Sequence, residues 1–235
     1  MIVFVIVTHR LLLSRSFYAA PAYRGRSEGR GFAVGFAARK PPHLILSRFE
    51  RNRQERYLSR YTYRSKRAGV GMKIGIISDT HDNLPMVQTA VTAIQAEGIT
   101  HLFHCGDVCG PMVLEALTGF ELWIAQGNMD RHSILSGAAV EILGRNPLAW
   151  IHKPMLDGYR IAVLHGENEE ALSNLIASGA YTYVFHGHTH RRRDQVFGRT
   201  RVINPGALGG TRRQSRSFCI LDLSTGEVRF IELSG

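Results

Sequence analysis

The order of apolar and polar positions changes at Met72. Before it, Ile2 to Val7 and Leu11 to Leu13 form short apolar runs broken by His9 and Arg10. No period is sustained afterwards, apart from a weak helical spacing around Leu44 to Leu58. From Met72 the pattern is regular. Lys73 to Ser78 (KIGIIS) is a short isoleucine-rich run of the kind that makes a buried strand. After the polar cluster Asp79 to Asn83, apolar residues recur at Val87, Ala90, Val91 and Ile94, which is helical spacing. Pro85 suits the first turn of that helix and Gly98 its end. Strand Thr100 to Cys105, helix Pro111 to Leu117 and strand Glu121 to Gln126 follow. Such short alternating units predict parallel βαβ connections and an α/β fold.

The second half reads differently. Trp150 to Met155 and Tyr159 to Leu164 flank Asp157-Gly158, a hairpin signal. A helix is predicted over Glu169 to Ala177 with Asn168 as its cap. Strand Tyr181 to Phe185 runs into Gly187-His188-Thr189-His190. Arg201 to Ile203, Ser217 to Leu223 and Val228 to Leu233 complete the strands.

Charge divides the chain at the same place. Residues 1–71 hold 15 Lys+Arg and 3 Asp+Glu, a net +12, so the other 164 residues carry −2 of the overall +10. Those 164 residues also carry 9 of the 11 histidines. Residues 1–71 are therefore expected to be a basic extension without packed structure, and 72–235 the folded domain. Three readings of the extension compete: an upstream reading-frame extension, an organellar targeting peptide, and a basic arm for nucleic acid, with Tyr57, Tyr61 and Tyr63 available for stacking. No run approaches 18 apolar residues, so no membrane partner is expected. The three cysteines, Cys105, Cys109 and Cys219, do not make a disulfide framework and fit a reducing, cytoplasmic setting.

The chemistry lies just past the strands. Asp79 and His81 follow the first, Asp107 the second, Asn128 the third, His165 the hairpin's second strand, and His188 with His190 the next. Open α/β sheets bind ligands at the carboxyl ends of their strands. All seven side chains offer oxygen or imidazole nitrogen, which suits Mn²⁺, Fe or Zn²⁺. In Asp79-Thr80-His81 and His188-Thr189-His190 the donors are two apart, so an extended backbone would point both to one side. Glycine directly precedes Asp107, Asn128 and His188, where the backbone must turn tightly. Seven ligands exceed the need of one ion and suit two ions that share a carboxylate.

The blocks Asp79-x-His81, Gly106-Asp107, Gly127-Asn128-x-Asp130, His165-Gly166 and Gly187-His188-x-His190 resemble, in this order, those of the calcineurin-like metallophosphoesterases. The likeness covers nearly all of 72–235 and is greatest to the small YfcE-type phosphodiesterases. It implies two mixed β-sheets sandwiched between helices (αββα). It implies one metal site built from Asp79, His81 and His190, another from Asn128, His165 and His188, and Asp107 as the bridge. It also implies a hydroxide nucleophile supplied by the metal pair, with Mn²⁺ the expected ion and Ni, Fe, Co or Zn as alternatives. The expected partner is a small phosphate ester, and a homo-oligomer is compatible with the resemblance.

Asp107, Asn128 and Asp130 are the expected catalytic residues, and Asn83, Arg131 and Asn204 the expected substrate contacts. Asn83 has a second reading as a helix cap, and Asn204 as a residue that supports the ligands from behind or as the start of the Pro205-Gly206 turn. Arg191, Arg192, Arg193, Arg212 and Arg213 read either as a solvated loop or as phosphate contacts. Many larger relatives carry His directly after the asparagine; here it is Met129. Methionine cannot donate a proton, so good leaving groups are expected to be favoured. Two other functions stand beside the enzyme: a protein-interaction scaffold like the retromer subunit of this fold, whose metal histidines are partly lost, and a nucleic-acid enzyme using the basic arm.

Overall fold

The computed structural model describes residues 71–234. The expectations for the basic extension, Gly71 apart, lie outside the described residues.

Twelve strands form two sheets among the described residues. The first holds β1 (Lys73–Ile77), β2 (His101–His104), β3 (Glu121–Ala125), β4 (Leu148–Ala149), β11 (Arg216–Asp222) and β12 (Val228–Leu233), in the order β12-β11-β1-β2-β3-β4. β1 to β4 run parallel, and β11 and β12 are antiparallel additions at the other edge. The second holds β5 (Ile151–His152), β7 (Tyr159–Leu164), β8 (Tyr183–Phe185), β9 (Arg193–Phe197) and β10 (Thr200–Asn204), in the order β5-β7-β8-β10-β9. β6 (Met155–Leu156) pairs with β7 alone. The predicted hairpin is thus broken into β5 and β6, because Pro154 between them has no N–H for a continuous ladder.

The helices are α1 (Leu84–Ala96), α2 (Pro111–Ala116), α3 (His132–Leu143) and α4 (Glu169–Ala177). α1 begins with proline in its first turn and buries Val87, Ala90, Val91 and Ile94, the face its spacing predicted. Asn168 caps α4 by accepting the Ala171 N–H at 2.9 Å. α3 has no counterpart in the predicted elements. Gly137 interrupts it, no side chain caps it, and Ile134 and Val140 are exposed, so its apolar face is blurred in the sequence.

Strand alternation sorts the core into three layers. Ile77, Leu102, Ile124, Phe218 and Ile220 face α1, α2 and α3 through Val87, Ile94, Leu114 and Leu135. Ile74, Ile76, Phe103, Cys219 and Leu221 pack against Ile161, Val163, Tyr183 and Phe185 between the two sheets. Val184 and Val202 point the other way, toward Leu172 of α4. The result is the expected αββα sandwich. At its centre Phe103 stacks on Trp123 at 4.8 Å and meets the edge of Phe185 at 5.3 Å. Phe103→Ala should cost about 3–5 kcal/mol of unfolding free energy, because a side chain this buried leaves a cavity that rigid neighbours cannot close. Urea unfolding of the two proteins checks this value.

Among the described residues, no helix is long and apolar enough to cross a membrane.

Candidate metal centre

The carboxyl ends of β1, β2, β3, β7 and β8 meet at one end of the sandwich, and each delivers its polar loop there. Backbone bonds tie the loops together before any side chain acts. Asp79 N–H donates to the Gly106 carbonyl at 2.9 Å, and His81 N–H to the Asp107 carbonyl at 3.0 Å. Gly187 N–H donates to the His165 carbonyl at 2.9 Å.

All seven expected ligands converge. His190 Nε2 lies 3.3 Å and His165 Nε2 4.0 Å from Asp79 Oδ1. Asp107 Oδ2 is 3.4 Å from His81 Nε2 and 3.3 Å from His165 Nε2. Asn128 Oδ1 is 3.2 Å from both His165 Nε2 and His188 Nδ1. Two sets of donor atoms, Asp79/His81/His190 and Asp79/Asp107/His165, each lie within 4.8 Å of one another. Asp79, Asp107 and His165 are buried, whereas Asn128 and His188 are exposed and face the entrance.

The imidazoles are pre-oriented. His165 Nδ1 donates to the Cys105 carbonyl and His190 Nδ1 to the Thr211 carbonyl, each at 2.7 Å. A carbonyl only accepts, so these bonds keep a proton on Nδ1 and make Nε2 the nitrogen that would bind a cation. His81 Nε2 is buried without a hydrogen-bond partner, 3.4 Å from a carboxylate oxygen. An unpartnered buried nitrogen aimed at a carboxylate is what a cation between them would satisfy. The donor set therefore fits divalent metal.

Electrostatics agree. Burial works against charge on Asp107, but its hydrogen bond and attraction to His165 outweigh that and hold its carboxyl below the usual range. Burial would lower His165, yet Asp107 and Asp79 push it up to about 9. Below that value the His165 imidazolium stands against the two carboxylates. Its stabilisation is fully present below the unfolded value near 6.5 and is lost as pH rises toward about 9. Metal must displace that proton. Binding near neutral pH is expected to release a proton, and affinity to rise with pH up to about 9. Calorimetry in buffers of different ionisation enthalpy measures this directly.

The donors are not carried on extended chain, which corrects the expectation drawn from their spacing. Asp79, His81, Asp107, His188 and His190 have φ of 50°, 40°, 57°, 65° and 55°. The left-handed region costs energy for such residues, and the inter-loop hydrogen bonds hold them there. The flanking glycines make room. A Cβ on Gly127 would stand 2.1 Å from Asp107 Oδ1, and one on Gly187 1.9 Å from Ser78 Oγ.

Other expected residues sit around the centre in different ways. Asp130 accepts the N–H groups of Gly127 at 2.8 Å, Asp107 at 3.1 Å and Cys109 at 2.8 Å. It ties the β2 and β3 loops together rather than facing outward. Burial pushes its carboxyl above the usual range despite those bonds. Asn204 was expected to contact substrate, and the structure corrects this. It is fully buried, donates to the Gly187 carbonyl at 2.8 Å and Thr189 Oγ1 at 3.1 Å, and accepts the Gly206 N–H at 2.9 Å. A side chain with no surface supports the Gly187–His190 loop instead. Asn83 does not cap α1; its amide donates to the Leu208 carbonyl at 2.9 Å. Arg131 is exposed immediately before α3. Arg192 pairs with Glu232 at 2.8 Å, and Arg193 lies over the Phe197 ring at 5.0 Å on the unpredicted strand β9. Both are thus occupied structurally.

Sequence reasoning passed over Ser78 and Thr80. Ser78 Oγ donates to Asp79 Oδ2 at 2.6 Å. Buried His104 accepts the Gly106 N–H on Nδ1 at 3.1 Å, so Nε2 carries the proton and donates to Thr80 Oγ1 at 3.0 Å. Thr80 in turn donates to the Asp107 carbonyl at 3.2 Å. Desolvation lowers His104 to about 4, which keeps this relay neutral. Their one local signal was position, on either side of Asp79.

A sequence profile of the calcineurin-like phosphoesterase superfamily domain matches residues 72–226. The chain belongs to that superfamily. A phosphodiesterase of Methanocaldococcus jannaschii is 32% identical over 165 residues, covering 69% of this chain and 99% of that protein. The solved structure of an archaeal phosphodiesterase superposes with a TM-score of 0.64 at 32% identity, covering 69% of this chain and all of that one. The phosphoesterase YfcE of E. coli has the same fold, with a TM-score of 0.52 at 19% identity over 69% of this chain and all of its own. The expected family and its sandwich fold are thus borne out: this phosphoesterase domain is a hydrolase of phosphate esters with a group of metal-binding candidates at its strand ends.

Proposed function

We propose that the chain is a phosphodiesterase that works with two divalent cations. The observation that carries this reading is the convergence of seven oxygen and nitrogen donors, with the buried, unpartnered His81 Nε2 among them. Asp79, His81 and His190 would hold one cation and Asn128, His165 and His188 the other, with Asp107 between. When bound, the cations would lower the pKa of coordinated water and neutralise charge on the phosphoryl oxygens. The family resemblance makes Mn²⁺ the first candidate, and mixed oxygen and imidazole donors also suit Fe, Zn, Ni and Co.

The chain's own residues do the rest. Asp107 and Asp79 keep the cluster electronegative enough to gather cations. The Cys105 and Thr211 carbonyls orient His165 and His190. Asp130 fixes the distance between the β2 and β3 loops, and so acts as a positioning residue. Exposed Asn128 and His188 meet the incoming phosphate. Exposed Met129 stands beside them and cannot protonate a departing oxygen. The substrate class is therefore a small diester with a stable leaving group, aryl or nucleotide. The relative named a phosphodiesterase, at 32% identity, supports the diester. We assign this work to a domain of residues 72–235, without help from the basic extension, and place it in the cytoplasm.

Rates with Mn²⁺ test the reading. Bis(p-nitrophenyl) phosphate should be hydrolysed faster than p-nitrophenyl phosphate, and dialkyl phosphates far more slowly than either. Equal rates for aryl and alkyl diesters would contradict the leaving-group argument. Faster turnover of the monoester would make the chain a phosphatase.

A further inference from the structure

Exposed apolar and aromatic side chains stand at the strand end that leads into Asn128. β3 and β4 run parallel, with Ala125 opposite Ala149, and Gln126 N–H donates to the Ala149 carbonyl at 2.9 Å. Trp150 therefore leaves β4 at the same sheet end, next to the turn that carries Asn128 and Met129. It is 60% exposed, a poor use of the largest side chain unless something covers it. The ring of His132, the first residue of α3, stands edge-on to the indole with centroids 6.5 Å apart. A 2.9 Å bond between His132 Nδ1 and Ser136 Oγ fixes that ring. Met129 is 56% exposed in the same turn.

We infer that Trp150, with His132 and Met129, forms a shelf that takes an aromatic ring carried by the phosphate ester. The inference rests on the proposed function. The position of the shelf selects this occupant. It stands at the strand end that leads into Asn128, an exposed donor placed at the phosphate by the proposed function, so a group attached to that phosphorus is directed toward it. A flat indole and a polarisable thioether suit the face of a base or an aryl ring. Exposed Arg131, between Met129 and His132, adds positive charge for the accompanying phosphate. A second copy of the chain or a protein partner seated on the shelf would crowd the entrance the substrate needs.

The test is calorimetric titration of the full Mn²⁺-loaded chain with adenosine 5′-monophosphate and with ribose 5-phosphate. The intact protein should bind the nucleotide about 5- to 150-fold more tightly, the range expected for stacking one base. Trp150→Ala should remove that preference while leaving the Kd for ribose 5-phosphate within about twofold, and Trp150→Phe should restore most of it. Equal affinities in the unaltered chain, or a preference that survives Trp150→Ala, would overturn the shelf. So would a dimer that dissociates in Trp150→Ala without any nucleotide preference, which would assign the surface to a second copy. A chain that turns over diesters but shows no preference loses only the shelf. A chain that neither turns over esters nor binds ribose 5-phosphate loses the proposed function itself.

Discussion

Asp107→Asn should lower metal-dependent diester hydrolysis by at least about a thousandfold, with the fold intact. Asp107 approaches both His81 and His165, at 3.4 and 3.3 Å, and its other oxygen accepts the Met129 N–H at 2.9 Å. The amide keeps this shape but loses the negative charge, and its nitrogen turns hydrogens toward cations or toward Met129. On the proposed reading, a site for two positive ions then lacks the carboxylate that would stand between them. Electrostatic groups aimed at developing charge are each worth about 10²–10³ in rate, and here the lost group also supports cation binding. Circular dichroism and urea unfolding should show a folded protein, so the loss is read as chemistry. Activity within tenfold of the parent would remove Asp107 from the centre of the site.

Gly127→Ala should be nearly as damaging, by a different route. The added methyl would stand 2.1 Å from Asp107 Oδ1 and 2.4 Å from its backbone nitrogen. Neither atom can retreat freely. The nitrogen donates to Asp130, and the carboxylate faces two histidines. The β2 and β3 loops must separate, which spreads the donors. Diester hydrolysis should fall by about 10²-fold or more, in line with the rate lost to misplacements near 1 Å. Stability should fall by about 1–3 kcal/mol, the cost of overpacking. Gly119→Ala is the control. That glycine has nothing within 4 Å of its would-be Cβ, so only its positive φ is strained and activity should persist. Kinetic assays of the two variants side by side separate the effects.

The site was legible in the sequence because its residues are punctuated locally. Each donor follows an apolar strand run, and glycine marks three of the tight approaches. β1 to β3, α1, α2 and α4 were legible for the same reason, since their apolar spacing or caps are complete within a few residues. What failed to show is what depends on distant chain. α3 hides because Gly137 and the exposed Ile134 and Val140 spoil its period. β9 reads as a charged loop because its side chains face outward and its backbone pairs with β10. Asn204 looks like an ordinary turn residue before Pro205-Gly206. Only the fold reveals that the Gly187–His190 loop closes over it. The left-handed backbone at the ligands was invisible too, because hydrogen bonds from other loops impose it.

On the proposed reading, seven side chains hold two cations with Asp107 between them. Equilibrium dialysis of the full chain against Mn²⁺, with bound metal counted per chain, tests it most directly. Two ions are expected for the parent and one or fewer at the same concentrations for Asp107→Asn. A parent that binds no Mn²⁺, Zn²⁺ or Fe²⁺, or a variant that keeps both ions at parental affinity, would contradict it.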